Sequence, residues 1–223
     1  MRTRILFFLG LFLALVVIGY LIIRPSDRLP IYHPSQLDPR LVDPSLKGDA
    51  REHHIMDFTL MDQKGALVSL ADVKDRIVVA DFFFTTCPTI CPKMTKQMVR
   101  VQEAFADEDR LMLLSHSVTP EMDSVPVLAA YADLHDANYA KWRFLTGDRK
   151  VIYDLARKSY FAVLDEGDGG PDDFVHTENF VLVDPQRRLR GFYDGTSTTD
   201  VDRLIGDIRK LLEEGTEEKL PTL

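Results

Sequence analysis

The sequence predicts one α/β domain carried behind a hydrophobic N-terminal helix, and three observations predict it. Ile77-Val78-Val79-Ala80-Asp81-Phe82-Phe83-Phe84 is a near-continuous apolar run, the pattern of a strand covered on both faces. Behind it, helical and strand-like stretches alternate and end in an antiparallel pair and a last helix. Ahead of it, Ile5 to Ile23 is uncharged and almost wholly apolar. A length of 223 residues at 45% hydrophobic content suits one core with an appendage.

The apolar run lies between Arg2 and Arg4 on one side and Arg24 on the other. At about 1.5 Å rise per residue it reaches nearly across a hydrocarbon core of roughly 30 Å. A cleaved signal peptide would carry a shorter apolar region, about 7–15 residues, and a small-residue cleavage site. Here the run ends Tyr20-Leu21-Ile22-Ile23-Arg24-Pro25, so residues 1–24 are expected to be an uncleaved single-pass transmembrane anchor. Arg24 and Arg28 balance Arg2 and Arg4, which leaves the positive-inside bias weak. With all the soluble mass behind the span, the simpler topology puts the N-terminus in the cytoplasm and exports the rest.

Residues 25–54 carry Pro25, Pro30, Pro34, Pro39 and Pro44 and are expected to form a semi-extended tether. His33 and the pair His53-His54 lie in it and are expected to face water. The domain is placed at residues 55–214, with a tail at 215–223. It opens with a hairpin, Phe58 to Met61 and Ala66 to Leu70, around the turn Asp62-Gln63-Lys64-Gly65. The apolar strand follows, then a helix from Pro92 to about Ala106 with Met94, Met98, Val101 and Phe105 on one face.

Leu111 to Val118 reads as a strand, Val127 to His135 as a helix after Pro126, Trp142 to Leu145 as a strand and Lys150 to about Ser159 as a helix. Asp165-Glu166-Gly167-Asp168-Gly169-Gly170 has the composition of a mobile loop. Asn179 to Val183 and Leu189 to Tyr193 form a second hairpin. A terminal helix then buries Val201, Leu204, Ile205, Ile208, Leu211 and Leu212, with Thr198 or Thr199 as its cap. This order is that of a thioredoxin-like sandwich with an added N-terminal β-hairpin.

The chemistry is expected at Cys87 and Cys91, the only cysteines, four positions apart and directly behind the buried strand. Such a pair can close a disulfide, hold a soft metal, or do both in turn. Pro92 suits the first position of a helix, whose dipole would favour thiolate. Two thiolates are too few for a closed zinc site, and alone they could equally be a redox couple. Copper(I) accepts two sulfurs and an imidazole, and His176 lies in the loop entering the last hairpin, which approaches the dithiol in a thioredoxin-like sheet. Met94 and Met98 are expected to fill core and His116 to be a hydrogen-bonded core residue. Asp81 either relays protons to a sulfur or ends in a hydrogen bond at the sheet's edge. A net charge of -8 without a basic stripe argues against nucleic-acid binding.

Four stretches carry a resemblance: Phe84-Thr85-Thr86-Cys87-Pro88-Thr89-Ile90-Cys91-Pro92, Ser117-Val118-Thr119-Pro120-Glu121-Met122-Asp123, Trp142 to Gly147, and Val175-His176-Thr177 through Leu182-Val183-Asp184-Pro185. From about Phe58 to Leu212 the chain resembles the Sco/SenC family, membrane-anchored thioredoxin-like copper proteins of cytochrome c oxidase assembly. The resemblance implies that Cys87, Cys91 and His176 bind copper, as copper(I) and also as copper(II). It implies delivery of copper to, or reduction of cysteines in, the dinuclear CuA site of oxidase subunit II, and an upstream copper donor as a second partner. Two positions depart from the family pattern. Val175 stands where an aspartate usually precedes the histidine, the nearest acid upstream being Asp173, and Thr119 stands where Asp-Pro usually follows Ser-Val.

The expected location is the inner membrane with the domain in a periplasm; the alternative is the mitochondrial inner membrane facing the intermembrane space. The short head lacks an Arg- and Ser-rich transit segment, which favours the bacterial case. A competing reading is an exported thiol–disulfide reductase or peroxidase, which needs a reactive Cys87 but not His176. A third is a thioredoxin-like adaptor that binds the oxidase through its surface.

Overall fold

A computed structural model describes residues 2–23, 28–49, 51–163, 175 and 177–217, with side chains of the first helix given at 8 and 10–20. Seven strands form one mixed sheet: β1 (Thr59–Asp62), β2 (Leu67–Ser69), β3 (Ile77–Phe83), β4 (Leu111–Ser117), β5 (Trp142–Thr146), β6 (Asn179–Val183) and β7 (Leu189–Asp194), in the order β2-β1-β5-β4-β3-β6-β7. β3 runs parallel to β4 and antiparallel to β6, and β4 runs parallel to β5. All seven residues of β3 are buried, as its unbroken apolar run requires.

Alternation along β3 divides the core. Ile77, Val79 and Phe83 face a cluster made with α2 (Ile90–Ala104), α3 (Val125–Leu134) and α5 (Thr198–Glu217), through Met94, Met98, Val101, Leu128, Leu204 and Ile208. Met94 and Met98 are fully buried there, as core filling predicts. Val78, Ala80 and Phe82 face the opposite cluster with Ile152 and Tyr153 of α4 (Arg149–Asp154) and Leu155 and Ala156 of the π-helical turn Leu155–Ser159. This is the expected thioredoxin-like layering.

The added hairpin is present. Gly65 takes φ 75° in its turn, a left-handed conformation that glycine adopts without strain, and the Asp62 carboxylate accepts the N–H of Lys64 and Ala66. The hairpin joins the sheet where β1 pairs with β5. Buried Gln63 donates to the Trp142 carbonyl and accepts from Phe144 N–H, and Arg143 pairs with Asp62 at 2.7 Å.

Residues 28–49 and 51–54 do not run free as a tether. Val42 is buried, and Tyr32, Leu37, Leu41 and Leu46 pack on the β3–α4 cluster. Tyr32 N–H donates to the Leu189 carbonyl. Arg190, buried, donates to the carbonyls of Leu29 and Pro30 and pairs with Asp184 and Glu214, while Leu29 N–H donates to Glu214. The histidine pair is also engaged: a ring nitrogen of His53 donates to the Ser159 carbonyl and one of His54 to that of Gln186. The prolines set an extended path, and apolar residues between them give that path a surface to lie on.

Three boundaries differ from the sequence reading. α2 begins at Ile90, so Pro92 is its third residue; the first turn has no N–H partners to lose, and proline is tolerated there. α3 begins at Val125, ahead of Pro126. α5 is capped by Ser197, whose hydroxyl accepts from Asp200 N–H, one residue before the expected threonines. The first helix, α1, spans Arg2–Ile23, and its described side chains, including Phe8, Phe12, Leu15 and Tyr20, are exposed. Among the described residues no helix is long and apolar enough to cross a membrane. The loop at 165–170 lies outside the described residues.

Candidate functional site

β3 ends at Phe83, and the chain turns at once. Cys87 N–H donates to the Phe84 carbonyl at 3.3 Å, closing a turn over Phe84–Cys87. Three residues later α2 begins, so Cys87 stands in the loop and Cys91 in the first turn of the helix. The two cysteines are therefore not stacked within one helix. Instead the N–H of Cys91 points at the Cys87 sulfur across 3.5 Å. Both thiols are unbridged and buried, with 6% of Cys87 and 2% of Cys91 exposed, which leaves Cys87 the more accessible.

Their acidities are driven apart. Burial pushes the Cys87 thiol up, but the N–H groups of Thr89, Ile90 and Cys91 at the head of α2 together outweigh it and bring the pKa below the ordinary thiol value. Burial pushes Cys91 up to about 12, with the neighbouring Cys87 adding to the effect. Cys87 is thus the more acidic thiol of the pair and the better placed to attack a disulfide or engage a metal first, while Cys91 holds its proton more tightly.

Beneath the dithiol, Asp81 lies in β3, an interior strand flanked by β4 and β6, and not at the sheet's edge. Its carboxyl is held by Ser115, which in turn accepts from Trp142 Nε1 at 2.9 Å, while its Oδ1 has no partner among the described residues. Burial raises its pKa to about 7. On the other face of the sheet His116 is the core residue its context predicts. Phe82 stacks on it at 4.9 Å, and Nδ1 donates to the Asp81 carbonyl at 3.2 Å. Nε2 has no partner among the described residues, and burial lowers the ring's pKa to about 4.

His176 lies outside the described residues. Its neighbours on both sides are fixed: Val175 packs in the core, and the Thr177 hydroxyl donates to the Ala162 carbonyl, to which Asn179 also donates. In the β3–β6 register Ala80 faces Val181, and counting outward puts Asn179 level with Phe82, so the chain enters β6 at the cysteine end of the sheet. Among the described residues no three histidine, cysteine or acidic side chains are grouped to hold a metal ion.

One constellation escaped the sequence reading. Asp123, fully buried, accepts from Thr85 N–H at 3.2 Å, Thr85 hydroxyl at 2.5 Å, Ser117 hydroxyl at 2.6 Å and Thr119 hydroxyl at 3.1 Å. A clue lay in the crowding of hydroxyl residues at 85–86 and 117–119, both at the ends of adjacent strands.

The SCO1/SenC family profile matches residues 47–213. A SCO1 protein homolog of Bacillus subtilis is 34% identical over 163 residues, covering 72% of this chain and 84% of its own. The solved structure of BsSco, described as a member of the Sco family of cytochrome c oxidase assembly proteins with a disulfide switch, matches with a TM-score of 0.61 at 33% identity, over 73% of this chain and 95% of that one. ScoI of Bradyrhizobium japonicum, solved with copper bound, shares the fold at a TM-score of 0.57 and 22% identity, over 71% of this chain and 99% of its own. On the match across most of its domain, this chain belongs to the SCO1/SenC family.

Proposed function

We propose that the protein is a membrane-anchored copper chaperone for the CuA site of cytochrome c oxidase, with Cys87, Cys91 and His176 as the ligands of its cargo. The observation that carries this reading is the pair of close, unbridged, shielded thiols of unequal acidity at the head of α2 in a chain of this family. Soft copper(I) takes two sulfurs readily, and a shielded pair slows its loss to solvent and oxidant. Loading begins at the Cys87 thiolate and releases a proton from Cys91 as the second sulfur engages. His176 completes the set. With Val175 in the core, no acid directly before the histidine orients its ring.

The anchor belongs to the same proposal: α1 holds the chain in the inner membrane, with the domain on the periplasmic side. The exposed apolar side chains of α1 support it. Residues 28–49, which lie as a strap against the domain, support an orientation as well. Leu29 and Pro30 are fastened to Arg190, whose neighbour Leu189 pairs with Val183 and so lies by the start of β3, whereas the cysteines follow its end. A domain held by that end presents its dithiol away from the anchor, toward the soluble CuA domain of subunit II.

The test is transfer. Protein loaded with copper(I) is mixed with copper-free, reduced CuA domain, the two are separated and their copper contents measured, and the CuA absorption is read after oxidation of the site with ferricyanide; gain of copper and of the CuA spectrum by the target with loss of copper from the chaperone is expected. The lowered Cys87 pKa also favours a second reading, reduction of the target's disulfide. Incubating the reduced, copper-free protein with oxidised CuA domain tests it. Appearance of two free thiols on the CuA domain with closing of the Cys87–Cys91 disulfide, without any copper transfer in the first arm, makes the protein a reductase and overturns the chaperone reading.

A further inference from the structure

Cys91 is placed by a helix, whereas the backbone of Cys87 is placed by the turn Phe84–Cys87, and what fixes that turn helps to set the distance between the sulfurs. The second residue of the turn is Thr85, and both its N–H and its hydroxyl are held by one carboxylate, that of Asp123, 38 positions along the chain. The same carboxylate takes the hydroxyls of Ser117 at the end of β4 and Thr119 just beyond it. Asp123 is itself fixed, because its N–H donates to the Thr119 carbonyl at 2.9 Å. The turn's entry is tied to the same loop, since Val118 N–H donates to the Phe83 carbonyl at 2.9 Å. The Asp123 side chain is wholly buried, although Thr85 and Thr119 are only half-buried, so solvent competes weakly for these bonds.

We infer that Asp123 is a positioning residue for the dithiol: by gripping Thr85 at two points it sets the Phe84–Cys87 turn and thereby the seat of the Cys87 sulfur against Cys91. The geometry separates this role from general support. A carboxylate that only closed the β4–α3 loop would need Ser117, Thr119 and its own backbone; the two bonds to Thr85 reach across to a different segment, and that segment ends on a cysteine. Thr119 contributes here as a hydroxyl donor, so its departure from the family's Asp-Pro pattern gives Asp123 a partner in place of a second negative charge.

The inference rests on the chaperone reading for its copper readout, and a copper-free readout runs beside it. The full chain in detergent is prepared as parent, Asp123→Asn, Thr85→Val and Tyr193→Phe. The last removes a buried hydrogen bond between β7 and α5 that touches neither the Phe84–Cys87 turn nor Asp123 and serves as a control for the loss of a buried hydrogen bond. Copper(I) affinity is measured by competition with a chelator, the copper(II)–thiolate absorption is recorded, and the equilibrium of the Cys87–Cys91 disulfide with glutathione is measured without metal. Expected are a loss of copper affinity of about 10–100-fold in Asp123→Asn and about tenfold in Thr85→Val, with a shifted thiolate absorption and a shifted glutathione equilibrium in both. Tyr193→Phe is expected to leave all three readouts at parental values.

Parental values in a folded Asp123→Asn or in Thr85→Val overturn the inference, as does an equal loss in Tyr193→Phe. If Asp123→Asn does not fold, Thr85→Val decides alone. If the parent binds no copper, the chaperone reading fails, and the glutathione equilibrium still decides the role of Asp123.

Discussion

The backbone N–H of Cys91 points at the sulfur of Cys87 across 3.5 Å, so one member of the pair stabilises the thiolate of the other. Cys87 is lowered by this and the adjoining N–H groups against its burial, and Cys91 is raised to about 12 by burial. At pH 8 the ionised fraction of Cys91 is on the order of 10⁻⁴. Iodoacetamide at that pH is expected to modify Cys87 first, and in Cys87→Ser the remaining thiol is expected to react at least about 100-fold more slowly than Cys87 does in Cys91→Ser. Peptide mass spectrometry over a time course checks this; comparable rates in the two variants contradict it.

Asp81 and His116 titrate in opposite senses within the same range. Asp81 is raised from 3.8 to about 7, so the folded state holds a proton that the unfolded chain has lost, and stability from this group falls as pH rises from about 4 to about 7. His116 is lowered from 6.5 to about 4, so the unfolded chain binds a proton that the folded state refuses, and stability falls as pH drops from about 6.5 to about 4. Each effect is at most roughly 3–4 kcal/mol, and in the reduced, metal-free parent they largely cancel between pH 4 and 6.5. Asp81→Asn is expected to expose the acid sensitivity, with stability climbing from pH 4 to 6.5 and exceeding the parent at pH 8. His116→Leu is expected to show the reverse slope. Urea denaturation at pH 4.5, 6 and 8 measures both; parallel pH profiles in the three proteins rule the opposition out.

Arg190 joins the strap to the domain through two buried or half-buried carboxylates and two carbonyls. Arg190→Met leaves Asp184 and Glu214 without this partner and is expected to cost about 3–5 kcal/mol of stability. It should also open residues 29–32 to trypsin-independent cleavage, for instance by chymotrypsin at Tyr32, while leaving copper binding intact at temperatures where the domain is folded. A variant as stable and as protease-resistant as the parent would show that the strap is held by its apolar contacts alone.

The layers of the fold were legible because periodicity and burial agree. The unbroken run of β3, the methionine face of α2 and the apolar face of α5 each admit one arrangement, and the dithiol was placed by what precedes it. The strap was misread because proline content describes the path of a backbone and says nothing of where Tyr32, Leu37, Leu41 and Val42 go. The entry to α2 was placed two residues late because Pro92 fits the third helical position as well as the first. The Asp123 cluster was hidden because its members lie up to 38 positions apart and each is an ordinary loop residue alone. Of the two readings open for Asp81, the one at the sheet's edge is excluded because β3 is flanked by β4 and β6; a single acid inside an apolar strand carries no signal of that strand's place in the sheet.

In the proposed site two sulfurs and one imidazole hold one copper, and this ligand set is open to a direct test. It is tested most directly by copper(I) competition against a chelator on the reduced protein, for the parent, Cys87→Ser, Cys91→Ser and His176→Ala. One copper per chain in the parent, none retained by either cysteine variant and an affinity lower by at least about tenfold in His176→Ala is the predicted result. Unchanged affinity in His176→Ala would contradict the three-ligand site, and full copper retention in a cysteine variant would contradict the role of the dithiol itself.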